Sequence, residues 1–104
     1  MTTGETQRVR FLLIGAGNVG RRFLGLIESK GSTLRERLGL ELVLVGVADS
    51  SGMAVNPDGL PISEILELKN AGRSVAEHRQ WGERAGSALE MVRTQGADLL
   101  LEAS

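Results

Sequence analysis

Three glycines near the amino terminus stand at a spacing that suits phosphate binding. Gly15, Gly17 and Gly20 form the pattern G-x-G-x-x-G, which is typical of the turn between a strand and a helix in dinucleotide-binding domains. The first glycine permits a sharp turn, the second lets the backbone approach a pyrophosphate, and the third lets the helix pack closely on its strand. The free N–H groups at Asn18, Val19 and Gly20 would face the anion, with the helix dipole behind them.

The residues on both sides of these glycines support this interpretation. An apolar run over Val9–Ile14 precedes them, as expected for a strand that is buried on both faces. Apolar residues then recur at helical spacing, at Val19, Phe23, Leu26 and Ile27. The alternative is an ordinary tight turn in another α/β protein, because a chain with 14 glycines in 104 residues produces chance matches easily.

A second informative residue is Asp49, which follows a predicted strand over Glu41–Ala48. In dinucleotide-binding domains, an acidic residue at this place accepts hydrogen bonds from the adenosine ribose. Asp49 lies farther from Gly15 than the usual spacing of about 20 residues, and the alternative is a polar cap on the following loop. No Arg or Lys lies between Asp49 and Leu60 to neutralise a 2′-phosphate. The sequence therefore favours NAD over NADP, and the alternative is that Arg21 or Arg22 folds back and weakens this preference.

Composition restricts the class of protein. The chain has 104 residues, is 41% hydrophobic and 24% charged, has a formal net charge of −1 and contains no cysteine. These values predict one cytoplasmic domain, or part of a larger protein, without disulfides or thiolate metal sites. The charge argues against nucleic acid, and no apolar stretch is long enough to span a membrane. We predict a flexible tail over residues 1–7 and one nucleotide-binding domain over residues 8–104.

Helix and strand signals alternate along the chain. The predicted helices lie at 18–29, 61–71 and 85–95, with an additional helical turn at 33–38, and the predicted strands lie at 9–14, 41–48 and 99–102. Residues 50–60 are predicted to be a turn-rich connection. The alternation indicates an α/β fold of the Rossmann type, with three αβα layers. We expect a parallel sheet in the order second, first, last strand, with the first helix on one face and the other two helices on the opposite face.

We predict no catalytic residue and no metal site in this chain. Hydride transfer needs a group that exchanges a proton with the carbonyl oxygen. The chain has no tyrosine, and Lys30 and Lys69 lie on or just after predicted helices. His78, the one histidine, stands among charged residues and is interpreted as a solvated helix residue. Trp81 is interpreted as a packing anchor.

Three segments resemble the amino-terminal part of homoserine dehydrogenases. They are the glycine turn over Val9–Arg21, the segment Val-Gly-Val-Ala-Asp-Ser-Ser-Gly over Val45–Gly52, and the ending Ala97–Ser104. The resemblance covers nearly all of the chain. It implies a truncated dinucleotide-binding fold, because the family's catalytic lysines come after the point where this chain ends.

The resemblance implies an NAD(P)-dependent oxidoreductase of amino-acid biosynthesis in the aspartate pathway. Such an enzyme interconverts aspartate semialdehyde and homoserine by hydride transfer. The spacing predicts a cofactor site that includes Gly15, Gly17, Asn18, Val19, Gly20 and Asp49. The resemblance implies that Ser50, Ala103 and Ser104 also belong to this site. The resemblance implies that the glycine turn binds the pyrophosphate. Asp49 and Ser50 would bind the adenosine ribose, and Ala103 and Ser104 would lie near the nicotinamide ribose. The isolated chain is expected to bind the cofactor and to be catalytically inert.

Other interpretations remain open at this stage. Aspartate dehydrogenases and other NAD(P)-dependent oxidoreductases have a similar first domain. An alternative from a different functional class is a non-catalytic module that senses NAD or an adenine nucleotide. The interpretation as a methyltransferase is weaker, because Asn18-Val19-Gly20 completes the spacing typical of dinucleotide-binding domains. The apolar edge strand expected at Leu99–Leu101 also predicts self-association into a homo-oligomer.

Overall fold

A computed structural model describes residues 6–84 and 88–103 of the chain. Within these residues, a five-stranded mixed sheet lies between two layers of helices. The strands are β1 (Gln7–Ile14), β2 (Leu40–Asp49), β3 (Gly52–Val55), β4 (Gly82–Glu83) and β5 (Leu99–Glu102). The helices are α1 (Asn18–Leu38), α2 (Ile62–Asn70) and α3 (Ala88–Thr94), with a 3₁₀ turn over Val75–Glu77.

The centre of the sheet is a parallel unit in the order β2-β1-β5, as the sequence predicts. Phe11 of β1 pairs with Leu44 on one side and with Leu99 on the other. Because the three strands run in the same direction, their carboxyl ends meet at one edge of the sheet. The α/β class and the predicted strand order are confirmed, and this edge is the place where the candidate site forms.

Two antiparallel strands extend the sheet beyond β2. The region 50–60, predicted to be a connection, contains β3, which pairs antiparallel with β2 and places Gly52 opposite Asp49. β4 then pairs antiparallel with β3. The expectation of parallel pairing therefore holds for the centre of the sheet and is corrected at this edge. Gly52 has φ = +151°, a backbone conformation that lets the chain reverse directly after β2 and that side chains disfavour.

The first helix is longer than predicted. α1 continues through Gly31, where a helix end was expected. A glycine inside a helix costs only about 1 kcal/mol relative to alanine, so Gly31 alone does not end α1, whose buried residues Gly20, Leu24 and Ile27 all precede it. The helix ends at Gly39, which has φ = +61° and donates its N–H to Arg35 O. This is a left-handed glycine cap.

The helices are distributed differently from the prediction. α1 and α2 cover the same face of the sheet, over a core cluster that includes Phe11, Leu44 and Ile65. α3 covers the opposite face, where Met91 packs against Val45 and its neighbours. The expected placement assumed that α2 lies in a direct crossover between parallel strands. α2 instead follows the antiparallel strand β3, so the crossover rule does not determine its face.

The remaining boundaries agree closely with the sequence analysis. The predicted helix at 61–71 and the strand at 99–102 are confirmed as α2 and β5. β1 begins at Gln7, inside the predicted tail, because its N–H donates to Gly39 O at 2.8 Å. Residues 1–5 and the predicted helix start at 85–87 lie outside the described residues. No helix in the described part of the chain is long and apolar enough to cross a membrane.

Candidate functional site

An open cleft of ≈ 610 Å³ lies at the carboxyl ends of β1, β2 and β5. The predicted site residues that line this cleft are Gly15, Gly17, Asn18, Val19, Asp49, Ser50 and Ala103. Ser104 was also predicted to belong to the site, and it lies outside the described residues. The structure adds two cations to the lining, Arg21 and Lys69. A helix N-terminus beside two basic side chains suits an anionic ligand.

The glycine turn has the conformation that the sequence predicts. Gly15 has φ = +91°, and its N–H donates to Ala48 O at 2.8 Å, which ties the turn to the end of β2. Gly17 is the N-cap of α1, and no side chain caps the helix there. A Cβ added at Gly17 would meet no atom within 4 Å. The protein's own packing therefore does not require glycine at this position, and the open space in front of α1 is where an anion fits.

Gly20 has a different role from Gly17. A Cβ at Gly20 would lie 2.5 Å from Gly15 O, which is closer than real Cβ atoms approach a carbonyl oxygen. The first turn of α1 therefore packs directly on the glycine turn. This contact is the close helix packing that the sequence analysis assigned to the third glycine.

Arg21 was not among the predicted site residues. Its Nη2 donates to Asn18 Oδ1 at 2.6 Å, and its Nη1 donates to Asn70 Oδ1 at 3.2 Å. Its Nε is the buried side-chain polar atom that has no hydrogen-bond partner in the described part of the chain. The spacing i, i+3 between Asn18 and Arg21 is the sequence signal that could have indicated this residue. The guanidinium places a positive charge beside the glycine turn.

Asp49 accepts four hydrogen bonds from the protein itself. Its Oδ1 accepts from the Ser51 N–H and from the Ser74 hydroxyl, both at 2.9 Å. Its Oδ2 accepts from Lys69 Nζ at 2.9 Å and from the Val75 N–H at 2.8 Å. The Asp49 side chain is only 9% exposed. Because an ionised carboxylate has about four lone-pair sites, all of its acceptor sites are in use.

The environment of Asp49 favours the ionised carboxylate. Burial raises the pKa of Asp49, but hydrogen bonds from the Val75 N–H, Lys69, the Ser51 N–H and the Ser74 hydroxyl outweigh this effect, and the pKa lies below its ordinary value. At neutral pH the carboxylate is therefore charged and paired with the Lys69 ammonium. This ion pair gives the end of β2 a local charge near zero.

The predicted preference for NAD assumed that no cation lies close to Asp49, and the position of Lys69 corrects this assumption. The sequence analysis found no cation between Asp49 and Leu60 and otherwise considered only Arg21 and Arg22, whereas Lys69 reaches Asp49 from the last turn of α2. The signal in the sequence is its spacing, because Lys69 follows the fully buried Ile65 by four positions and so shares the buried face of that helix. A lysine on such a face needs a partner for its charge.

His78 is buried, which corrects the prediction of a solvated residue. It is 8% exposed, its Nε2 lies 2.7 Å from Glu64 Oε1, and its ring stacks on Trp81 with centroids 5.1 Å apart. Trp81 packs against the core, as predicted. His78 does not line the cleft. Among the residues that the structure describes, no three His, Asp or Glu side chains are grouped to hold a metal ion.

The fold and the cleft together define an α/β nucleotide-binding domain of the Rossmann type. The family model for glutamate/leucine/phenylalanine/valine dehydrogenase matches residues 1–103, and the chain belongs to this family of amino-acid dehydrogenases.

Two individual proteins similar to this chain are homoserine dehydrogenases. The bifunctional aspartokinase/homoserine dehydrogenase 2 of Escherichia coli K12 is 42% identical over 64 residues, which are 62% of this chain and 8% of that protein. The solved homoserine dehydrogenase of Thermoplasma acidophilum is 31% identical, with a TM-score of 0.71, over 94% of this chain and 27% of that one. The resemblance to homoserine dehydrogenases that was inferred from the motifs is confirmed.

A third similar protein was solved with a bound nucleotide. A hyperthermophilic archaeal homoserine dehydrogenase in complex with NADPH has a TM-score of 0.79 and 22% identity, over 94% of this chain and 29% of that one. This likeness shows the shared fold. The present chain spans less than a third of the length of the relatives it matches.

Proposed function

We propose that this chain is the NAD(P)-binding domain of a homoserine dehydrogenase-like oxidoreductase. The observation that supports this most is the open space at Gly17, where a Cβ would meet nothing within 4 Å although the glycine spacing is complete. A glycine that packing does not require, placed at a helix N-terminus in a cleft, is explained by a ligand that needs close backbone approach. The NADPH-bound relative has the same fold.

In this proposal each part of the cleft binds one part of the cofactor. The pyrophosphate lies before the first turn of α1, where the N–H groups of Asn18 and Val19 point outward and the Arg21 guanidinium adds positive charge. The adenosine ribose lies toward Asp49 and Ser50, and the nicotinamide ribose lies toward Ala103 and Ser104. The bound nicotinamide supplies hydride chemistry.

We further propose that the cleft accepts NADP at least as well as NAD. A preference for NAD requires a carboxylate that repels the 2′-phosphate and is free to accept from the 2′-hydroxyl. Asp49 meets neither condition, because Lys69 neutralises it and four protein donors fill its acceptor sites. Unit charges about 4 Å apart repel by about 1 to 4 kcal/mol between water and an intermediate dielectric, and the Lys69 ammonium offsets this repulsion.

The substrate proposal rests on the relatives. We propose that the whole enzyme interconverts aspartate semialdehyde and homoserine in the aspartate pathway, in the cytoplasm and without a nucleic-acid partner. The family model favours a second candidate, an enzyme that oxidises another amino acid. We propose that the 104-residue chain alone has no turnover, because the one amine in the cleft lining, Lys69, is already paired with Asp49.

We also propose that the chain self-associates along β5. This strand lies at one edge of the sheet, and Leu99 and Leu100 are 43% and 46% exposed. Val19 and Leu26 of α1 are also exposed. An apolar edge strand with free backbone groups favours pairing with a second chain, and a twofold dimer is the commonest closed arrangement.

Calorimetric titration of the chain with NAD and with NADP tests cofactor binding. The expected result is one saturable site per chain for at least one dinucleotide, and no heat of binding with nicotinamide mononucleotide at the same concentration. Binding of neither dinucleotide at millimolar concentration would contradict the proposal. A parallel assay with homoserine and NADP should show no reduction of the cofactor above a heat-inactivated control.

A further inference from the structure

Ser74 connects the adenosine end of the cleft to a segment that is remote in the sequence. It is the N-cap of the 3₁₀ turn Val75–Glu77, and its Oγ accepts from the Ala76 N–H at 3.0 Å. Its hydroxyl proton is donated to Asp49 Oδ1 at 2.9 Å. A hydroxyl has only one proton to donate, so the Ser74 hydroxyl is fully committed to this contact.

The 3₁₀ turn holds Ser74 in place from a second direction. The Ser74 N–H donates to Glu77 Oε2 at 3.2 Å, which completes a capping box. Glu77 is fixed in turn by Arg73, whose Nη2 lies 2.8 Å from Glu77 Oε1. Glu77 does not contact Asp49. The capping function of Ser74 and its contact with Asp49 can therefore be separated by mutation.

A free ribose 2′-hydroxyl competes with Ser74 for the same acceptor. Asp49 Oδ1 already accepts two hydrogen bonds, and one of them comes from the Ser51 N–H, which the backbone holds in place. A 2′-hydroxyl that donates to Oδ1 must therefore displace the Ser74 hydroxyl. A 2′-phosphate carries strong acceptor oxygens instead of this hydroxyl proton, so it gains nothing from a vacant site on Oδ1.

We propose that Ser74 is a specificity-determining residue of the cofactor site. By occupying Asp49 Oδ1, its hydroxyl withholds that oxygen from the free 2′-hydroxyl of NAD and so biases the cleft toward a 2′-phosphorylated dinucleotide. This inference rests on the proposed function, because it concerns the selectivity of the same cleft. Ser74 itself acts through Asp49 and needs no contact with the ligand.

The test compares NAD and NADP affinities in Ser74→Ala and in the unaltered chain. Removal of the hydroxyl leaves a buried lone pair on Oδ1 without a donor, and the NAD ribose then supplies one. A hydrogen bond to a charged group corresponds to at least about tenfold in affinity, so the dissociation constant for NAD should fall by about tenfold. The constant for NADP should change by less than about twofold.

Three further variants separate selectivity from folding. Ser74→Thr keeps the hydroxyl and should keep the native NAD to NADP ratio. Glu77→Ala breaks the other half of the capping box and leaves Asp49 Oδ1 occupied, so its ratio should also stay native. If Ser74→Ala folds poorly, Ser74→Gly serves in its place, because glycine at an N-cap costs only a few tenths of a kcal/mol relative to serine.

The outcomes distinguish the two proposals. A shift toward NAD in Ser74→Ala or Ser74→Gly, with native ratios in Ser74→Thr and Glu77→Ala, supports the role of Ser74. An unchanged ratio in the hydroxyl-free variants, or an equal shift in Glu77→Ala, overturns it while dinucleotide binding stands. Failure of the unaltered chain to bind either dinucleotide overturns the proposed function, and this inference with it.

Discussion

The two ends of the cleft are built in opposite ways. The glycine turn is contiguous in sequence, and at Gly17, which lines the cleft, an added Cβ would meet no atom within 4 Å. The other end, which we propose holds the adenosine ribose, is assembled from three segments that are remote in sequence and meet at Asp49, and one of the donors is the Val75 N–H. The first region leaves space and N–H groups for a ligand. The second region uses its hydrogen bonds to connect β2 to α2 and the 3₁₀ turn.

This difference indicates whether each region contributes mainly to ligand binding or to the stability of the fold. A Cβ added at Gly17 would meet no atom within 4 Å, so side-chain packing does not require glycine there, and in the proposed function this space admits the ligand. Protein donors fill the four acceptor sites of Asp49, so its main role is to stabilise the fold. In the proposed function, the cleft thus contains one residue whose main role is ligand binding and another whose main role is stability.

The largest effect is expected at Asp49. Asp49→Ala removes four hydrogen bonds and leaves the Lys69 ammonium, 19% exposed, without its partner. Breaking a largely buried pair by removing one member costs about 3 kcal/mol of unfolding free energy. Chemical denaturation at pH 7 measures this loss. Asp58→Ala is the matched control, since Asp58 is exposed on a loop and such substitutions stay within about 0.5 kcal/mol.

The Asp49 contribution should depend on pH in a defined direction. The folded-state pKa is depressed from its ordinary value of 3.8, so the contribution is present above that value and is lost as the pH falls through the lower folded pKa. The stability difference between the unaltered chain and Asp49→Ala should therefore shrink below pH 4. A difference that stays constant from pH 7 down to acid unfolding would contradict the ionised network.

The next effect is expected at the packing glycine of the turn. Gly20→Ala places a methyl group 2.5 Å from Gly15 O, and overpacking of this kind costs about 2 kcal/mol. Gly25→Ala is the control within the same helix, because a Cβ there meets nothing within 4 Å and alanine is the better helix former by about 1 kcal/mol. Thermal unfolding should show opposite shifts for the two variants. Equal shifts would mean that Gly20 is not a packing residue.

The sequence predicts the local glycine turn better than the contacts between segments that are remote in the chain. The glycine turn depends on a local pattern and on backbone conformations that glycine permits, so it could be predicted directly. The order of the three parallel strands could be predicted because it follows from the alternation of strands and helices. The continuation of α1 through Gly31 was not predicted, because a glycine was taken as the helix end although one glycine costs a helix only about 1 kcal/mol. Strand β3 is short and forms only by pairing with β2. Lys69 and His78 depend on partners that the fold brings close, Asp49 and Glu64.

A smaller effect is expected at Lys69. Lys69→Met keeps much of the side-chain volume and removes the charge that offsets Asp49, so a 2′-phosphate is again repelled. The expected result is a loss of NADP affinity of about fivefold or more, given about 1 kcal/mol or more of uncompensated repulsion, with less change for NAD. Parallel titrations at one salt concentration measure the ratio. A greater loss of affinity for NAD than for NADP would contradict the proposed role of the Lys69 ammonium in offsetting the repulsion between Asp49 and the 2′-phosphate.

The smallest effect on the fold is expected at the β5 edge, beside the glycine turn. Leu100→Lys places a charge on an exposed position of the edge strand and should shift any dimer toward the monomer with little change in stability. Leu38→Lys, at the far end of α1 and 68% exposed, is the control. Light scattering over a dilution series reads the mass. A constant single-chain mass for the unaltered protein up to high concentration would exclude this edge as a self-association surface.

The central claim is that Gly17 is reserved for the pyrophosphate of a dinucleotide. Gly17→Val and Gly25→Val introduce the same side chain at two glycines of which neither Cβ would meet an atom within 4 Å. Calorimetric titration with NAD and NADP should show about a hundredfold or greater loss of affinity in Gly17→Val, about 3 kcal/mol, and native affinity in Gly25→Val, with both variants folded. Equal dinucleotide affinity in the unaltered chain and in Gly17→Val would contradict the account.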